Sequence, residues 1–129
     1  MNLQSLLAAR VEAGKPVRVG LIGAGKFGSM FLAQVPSING LEVALICDRD
    51  LDRAKAACRT VGWDPGRIAR TQFSAPGRDA CTDERVDVVV EATGDPGAGI
   101  AHALAAIEAH KPIVMVNVEA DALAGPFSA

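Results

Sequence analysis

Three glycines in one short stretch have the spacing of a phosphate-binding loop. Gly23, Gly25 and Gly28 follow the apolar run Val17–Ile22 as G-x-G-x-x-G. In that spacing the first glycine permits a tight turn, the second lets a pyrophosphate approach backbone N–H groups, and the third lets a helix pack closely on the strand. A helix starting here adds unpaired N–H groups and the positive end of its dipole. The candidate loop residues are Gly23, Ala24, Gly25, Lys26, Phe27 and Gly28.

A carboxylate follows this loop at the distance that a dinucleotide requires. Asp48 lies about 20 positions after Gly28 and ends the apolar run Leu41–Cys47. There a carboxylate accepts hydrogen bonds from an adenosine ribose and repels a 2′-phosphate, which predicts NAD as the cofactor. Arg49 beside it offers a guanidinium to a 2′-phosphate, so NADP is the alternative. A glycine turn without a ligand is the competing interpretation; a methyltransferase loop is disfavoured because Leu21-Ile22 stand where an acid would precede the first glycine.

Composition limits the class of protein. The chain has 129 residues, 50% of them hydrophobic and 22% charged, with a net charge of −2, which is typical of one folded domain. Without a basic stripe, signal peptide or apolar run of about 18 residues, nucleic acid and membrane are not expected partners, and a cytoplasmic location is predicted. Three cysteines without C-x-x-C predict neither disulfides nor a zinc site, and no metal is expected; Cys47, although next to Asp48, is not assigned catalysis.

The remaining pattern places these residues on alternating strands and helices. Helices are predicted at 2–13, from Gly25 to Gln34, at 50–60, in a short segment that ends at Arg85, and at about 96–109. The second of these is expected to turn Phe27, Met30, Phe31 and Val35 toward the sheet. Further strands are predicted at 41–47, around 68–73, at 86–92 and at 113–117. Trp63 fits either a core or a loop position. Strands that alternate with helices predict an α/β fold, a Rossmann-type doubly wound parallel sheet in three layers.

The loops after the strands should open onto one edge of that sheet, where a ligand binds. Thr93 and Gly94 follow the fourth strand, where a nicotinamide ribose passes, or they form an ordinary turn. Asn117 ends the fifth strand on the same edge. Glu91 lies inside an apolar strand, so it sits either at the wet end or toward the cofactor. His102 lies off the helical face of Ile100, Leu104 and Ile107, which predicts a solvated position.

Three segments carry a resemblance to a known family. The glycine loop, the stretch Val88–Gly94 (Val-Val-Val-Glu-Ala-Thr-Gly) and the stretch Lys111–Asn117 (Lys-Pro-Ile-Val-Met-Val-Asn) resemble the cofactor domain of homoserine dehydrogenase-like oxidoreductases. The segment Asn117–Asp121 is similar to long bacterial members that continue into a C-terminal SAF domain. Val118 stands where homoserine dehydrogenases have lysine, which argues against homoserine itself as substrate.

The resemblance implies an NAD(P)-dependent oxidoreductase whose catalytic residues this chain does not identify. Glu119 and Asp121 are either substrate-side groups or solvated acids. The expectation is a single dinucleotide-binding domain over residues 1–129, with residues 1–15 as an additional N-terminal helix and the family's substrate domain absent. Its partners would be the dinucleotide and either a separate substrate domain or further copies of the chain. The rival hypothesis is a stand-alone binding or sensing module that catalyses nothing.

Overall fold

The computed structural model describes residues 14–116, which alternate between strands and helices along the chain. The strands are β1 (Val17–Ile22), β2 (Leu41–Cys47), β3 (Gln72–Ser74), β4 (Val88–Glu91) and β5 (Ile113–Met115). The helices are α1 (Lys26–Gln34), α2 (Leu51–Thr60), α3 (Pro65–Arg70), α4 (Arg78–Thr82) and α5 (Pro96–Glu108), and a 3₁₀ turn over Val35–Ser37 follows α1. The helix predicted over residues 2–13 lies outside this range.

The five strands of this range form one parallel sheet in the order β3-β2-β1-β4-β5. The chain winds outward from β1 in both directions, so the doubly wound α/β fold is confirmed. Ile22, the last residue of β1, lies opposite Cys47 of β2 and Glu91 of β4. The carboxyl ends of these three strands therefore meet at one edge, on either side of the point where the strand order reverses.

Helices cover both faces of the sheet. On one face Leu32 and Val35 of the α1 segment pack with Ala54 and Cys58 of α2 over β1, β2 and β4. On the other face the packing residues are smaller, chiefly Ala80 and Cys81 of α4 and Ala106 of α5. Both faces of the central strands are buried, which explains why the strands read as continuous apolar runs. In this part of the chain, no helix combines the length and apolarity needed to cross a bilayer.

The inward face of α1 differs from the prediction at one residue. Met30 was expected against the sheet but is 57% exposed, whereas Leu32 is fully buried. Phe27 and Phe31 are partly buried against the same core, and Val35 is buried, as expected. The helix is only nine residues long, and Gly28 brings it so close to the sheet that its buried stripe is centred on Gly28 and Leu32.

Helix α5 packs against the sheet with a different face from the one that its large apolar residues predict. Ile100, Leu104 and Ile107 are each about 60% exposed, while Gly99 and Ala106 are buried against the sheet. Small residues allow the helix to approach the sheet closely, and a large aliphatic side chain on that face would hold it away. The side chain of His102 is consequently turned inward and is only 17% exposed, so the prediction that His102 is solvated is wrong.

The middle of the chain contains a helix where a strand was expected. Residues 65–70 form α3, capped by the Asp64 side chain with Pro65 in its first turn, and only Gln72–Ser74 is a strand. Strand β4 is likewise shorter than predicted, at Val88–Glu91. Trp63 is buried and its indole nitrogen donates to the carbonyl oxygen of Leu32 at 2.9 Å, so it anchors the core.

Candidate functional site

A cleft of about 630 Å³ opens at the edge where β1, β2 and β4 end. Its volume lies within the range of small-molecule and cofactor sites. It is bordered by the glycine loop, the end of β2, the loop after β3, the turn after β4 and the first turns of α5. The residues that line it include Gly23, Gly25, Lys26, Phe27, Asp48, Arg49, Arg53, Ala75, Thr93, Asp95 and His102. The topology thus brings together residues that lie far apart in the sequence.

The second glycine of the loop has no side chain and therefore leaves space beside the backbone N–H groups that a pyrophosphate would approach. A Cβ built on Gly25 meets nothing within 4 Å, and Gly25 has an ordinary φ of −79°. A Cβ on Gly28 would instead overlap the carbonyl oxygen of Gly23, whose own φ is +94°. Helix α1 begins at Lys26 with no side-chain cap, so its first N–H groups remain available at the cleft. These donors, with the helix dipole, suit an anionic ligand.

Asp48 stands at the end of β2 with its carboxylate facing the glycine loop. The residue is 6% exposed, and its two oxygens accept from four N–H donors. Arg53 binds both oxygens, through Nη2 to Oδ1 at 2.6 Å and Nε to Oδ2 at 3.0 Å. The backbone N–H of Ala24 reaches Oδ1 at 3.4 Å, and that of Asp50 reaches Oδ2 at 3.3 Å. An ionised carboxylate has about four acceptor positions, so those of Asp48 are all engaged.

Arg53 is the cation beside Asp48, and the sequence analysis did not single it out. It belongs to the first turn of α2, which Asp50 caps by accepting from the Arg53 N–H. This geometry turns the Arg53 side chain back onto Asp48, and the hydrogen bond between them raises the pKa of the guanidinium further above its ordinary value. Arg49, which was predicted for this role, is exposed and borders the cleft. The cap at Asp50 was the sequence signal that could have located Arg53.

The turn after β4 forms another wall of the cleft. The Thr93 N–H donates to Glu91 Oε1 at 2.8 Å, and Gly94 takes a φ of +74° that favours glycine. Asp95 caps α5 by accepting from the N–H groups of Gly97 and Ala98. Glu91 was predicted either at the wet end of the sheet or toward the cofactor. At 2% exposure it is not at a wet end, and as the last residue of β4 it lies at the edge of the sheet beside the cleft, beneath the turn. Asn117, Glu119 and Asp121 lie outside the described residues.

The thiol nearest the cleft is poorly suited to nucleophilic chemistry. Cys47 lines the cleft beside Asp48, but burial raises its pKa to about 12. Burial likewise raises the pKa of Cys58 to about 11. Only the thiolate is a nucleophile, and almost none forms near neutral pH at such values. The three cysteines are free, buried thiols that pack as small apolar residues.

A parallel doubly wound sheet, a G-x-G-x-x-G turn and a carboxylate after β2 together define a dinucleotide-binding domain. A family model confirms and refines this class. The chain matches the GFO/IDH/MocA oxidoreductase family, described by its NAD-binding Rossmann fold, over residues 17–117, and it belongs to that family. NAD is therefore the cofactor, as the position of Asp48 predicts.

Similar proteins carry several different names. The chain is 35% identical, over 94 residues, to Glycosyl hydrolase family 109 protein 2 of Shewanella sp. (strain ANA-3), covering 70% of this chain and 20% of that protein. The NAD(H) and myo-inositol complex of myo-inositol dehydrogenase from Lactobacillus casei is 26% identical, with a TM-score of 0.64 over 78% of this chain and 28% of the other. A homoserine dehydrogenase from Thiobacillus denitrificans is 24% identical, with a TM-score of 0.66 over 86% and 26%. The chain thus spans about a fifth of the Shewanella protein.

Proposed function

We propose that NAD lies across the cleft, with its adenosine ribose at Asp48, its pyrophosphate on the glycine loop and its nicotinamide half beside Thr93 and Gly94. The observation that carries this assignment is that Asp48 and the vacant Cβ position of Gly25 face the same cleft. A side chain at Gly25 would fill the space in which the phosphates meet the first N–H groups of α1. Lys26, Phe27, Arg49 and Asn117 would border the same ligand.

The proposed role of the chain is the cofactor-binding part of an oxidoreductase. When bound, the nicotinamide supplies a hydride acceptor or donor, and the protein holds it against the substrate. Because the named relatives include a glycosyl hydrolase and an inositol dehydrogenase, the features they share with this chain support cofactor binding and not a particular substrate. We further propose that residues 1–129 form one cytoplasmic dinucleotide-binding domain.

The finer proposal is that the parent reaction resembles that of homoserine dehydrogenases. Support comes from the Glu-Ala-Thr-Gly sequence that begins at the last residue of β4 and from the segment Asn117–Asp121, in which Glu119 and Asp121 would face the substrate. Val118, in place of the family's lysine, favours a related hydroxy compound over homoserine itself. A separate substrate domain, or a further copy of the chain, would complete the site.

The first prediction is that the purified chain binds NAD but reduces none of it. Hydride transfer requires the substrate carbon to be held against the nicotinamide, and positioning of this kind supplies about 7–11 kcal/mol of the barrier. It also requires a proton acceptor within hydrogen-bond reach of the reacting oxygen. The described residues border the cleft proposed for the cofactor, and the groups that hold the substrate are proposed to come from a separate domain. We therefore expect NAD binding by calorimetry without NADH absorbance when homoserine or myo-inositol is added.

Two results, one from this experiment and one from a companion measurement, would change the proposal. Steady NADH formation would contradict it and would place a complete catalytic site within this chain. An NAD-dependent change in oligomeric state by sedimentation, without turnover when a substrate domain is supplied separately, would favour the rival hypothesis of a sensing module. Restored turnover with that separate domain would support the oxidoreductase.

The second prediction concerns the choice between NAD and NADP. Arg53 occupies two of the acceptor positions on Asp48 that a ribose diol would use, and its side chain is 56% exposed, so a ribose that takes these positions displaces the guanidinium toward solvent. Once displaced, its guanidinium lies where it can bind a 2′-phosphate through two hydrogen bonds. Replacing Arg53 with alanine should therefore lower NADP affinity by about tenfold relative to NAD affinity, as expected for the loss of hydrogen bonds to a charged group.

Arg49→Ala is the matched control for this prediction, since Arg49 borders the cleft without binding Asp48. Calorimetric titration of both variants with NAD and with NADP gives the two affinity ratios. We expect a smaller change for Arg49→Ala. If Arg49→Ala shifted the ratio more than Arg53→Ala, the 2′-phosphate would be recognised by Arg49, as the sequence alone predicts.

A further inference from the structure

The buried carboxylate of Glu91 lies directly below the turn that borders the cleft. Glu91 is the last residue of β4, and the residue is 2% exposed. Its Oε1 accepts the Thr93 N–H at 2.8 Å, and its Oε2 contacts Nδ1 of His102. Burying a carboxyl group is costly unless its oxygens have partners, and these two contacts give each oxygen of Glu91 one. The carboxylate thus joins the turn after β4 to the helix that follows it.

His102 reaches Glu91 because the inner face of α5 is otherwise made of small residues. The Glu91 side chain passes beside Gly99, where a Cβ would lie 3.8 Å from its Cγ. The other edge of the imidazole faces the loop after β3, and a Cβ on Gly77 would overlap it. His102 also lines the cleft. The ring of His102 therefore projects from α5 into the space between the end of β4 and the loop around Gly77.

The contact between Glu91 and Nδ1 bears on where the imidazole proton lies. We assign that proton to Nδ1 of His102, which then donates to the carboxyl oxygen of Glu91. The Nε2 atom then faces the loop around Gly77 and the cleft. The second ring nitrogen of a histidine commonly has its protonation set in this way by the partner of the first.

The Thr93–Gly94 turn, which Glu91 supports, also contacts the glycine loop. A Cβ on Gly23 would lie 3.0 Å from the Cα of Thr93, so the two backbones are packed against each other. A Cβ on Gly94 would lie 3.3 Å from the ring of Phe27, in the first turn of α1. The position of the turn therefore depends on Glu91 from below and on the glycine loop from the side.

We propose that Glu91 and His102 are positioning residues, which hold the Thr93–Gly94 turn in the geometry that receives the nicotinamide half of NAD. This inference rests on the proposed function, because it assigns the nicotinamide half to that side of the cleft. The pair acts through the turn, and neither residue is assigned a contact with the reacting atoms. Its loss should weaken NAD binding while the adenosine end, held at Asp48, is unaffected.

The test compares NAD with AMP, which lacks the nicotinamide half, in calorimetric titrations of the full 129-residue chain. His102→Leu removes the donor to Glu91, whereas His102→Asn keeps an N–H near the position of Nδ1. We expect His102→Leu to bind NAD about tenfold more weakly, the effect of losing a hydrogen bond to a charged group, with AMP affinity unchanged. His102→Asn should restore most of the NAD affinity. A defect in the fold as a whole would lower both affinities together.

His110→Asn is the matched control, because the chain has two histidines and His110 is exposed at the end of α5. Its φ of +58° suits asparagine, so the substitution should change neither affinity. Nitrogen NMR of the wild-type ring should show the proton of His102 on Nδ1, and this signature should be lost in Glu91→Ala.

Each failure has a separate meaning. If the wild-type chain binds neither NAD nor AMP, the proposed function is wrong and the positioning role fails with it. If the wild-type chain binds NAD and His102→Leu binds it equally well, or weakens AMP to the same extent, the inference alone is overturned. A wild-type ring whose only proton is on Nε2 would also overturn it, since Nδ1 would then have no hydrogen to donate to Glu91.

Discussion

Replacing Gly25 with valine should weaken NAD binding by roughly a hundredfold or more. The vacant Cβ position of Gly25 lies in the cleft, and an isopropyl group there would hold a pyrophosphate away from the first N–H groups of α1. Losing two hydrogen bonds to a charged phosphate costs about 1.5–3 kcal/mol each, which corresponds to that loss of affinity. Calorimetric titration with NAD measures the effect directly.

The same variant should keep its fold. Gly25 has a φ of −79°, outside the left-handed region that favours glycine, and a Cβ added there meets no protein atom within 4 Å. We expect its free energy of unfolding in urea to fall by about 1 kcal/mol, the cost of replacing a favoured residue at the N-cap of α1. Unchanged NAD affinity at unchanged stability would contradict the assignment of the glycine loop to the pyrophosphate.

Replacing Gly28 with alanine should have the opposite signature, a large loss of stability. Its Cβ would overlap the carbonyl oxygen of Gly23, which is backbone and cannot rotate away like a side chain. Helix α1 would have to move off the sheet, and overpacking costs about 1–3 kcal/mol, with an overlap against backbone expected near the upper end. The melting temperature should fall by roughly 10 °C.

The control for Gly28→Ala is the same substitution in another helix. A Cβ on Gly97 in α5 would meet Asp95 Oδ1 at 3.5 Å, an ordinary contact. Alanine is the better helix former, so Gly97→Ala should leave the melting temperature unchanged or raise it slightly. If Gly28→Ala had the same melting temperature as Gly97→Ala, close packing of α1 on β1 would not depend on the third glycine of the loop.

The features that could be predicted from the sequence are those set by local pattern. The run that forms β1, the three glycines after it and the carboxylate at Asp48 are each defined by neighbours within a few positions. The strand–helix alternation around them follows from apolar runs and caps such as Asp50 and Asp95. Because parallel strands carry their carboxyl ends to one edge, the gathering of these residues at one cleft followed from the alternation.

The features that were missed depend on contacts between distant residues. The apolar positions of α5 suggested that Ile100 and Leu104 face the core, but the sheet accepts only small residues at that distance. His102 is drawn inward by Glu91, a partner that lies on a different element and that no periodicity reveals. Arg53 is the local exception, because it lies five positions after Asp48 and the cap at Asp50 was the signal that could have placed it in the first turn of α2.

The central position of β1 has a consequence for how the chain acquires its fold. Arg18 donates its N–H to the Asp87 carboxylate across 69 positions, and β1 pairs with β4 in the same region. Long-range parallel pairing of this kind closes a large loop before it gains any contact, which slows folding. On the ribosome, one side of β1 stays unpaired until β4 has emerged, and the phosphate-binding turn is complete only then. We therefore expect the nucleotide site to form late in the folding of residues 14–116.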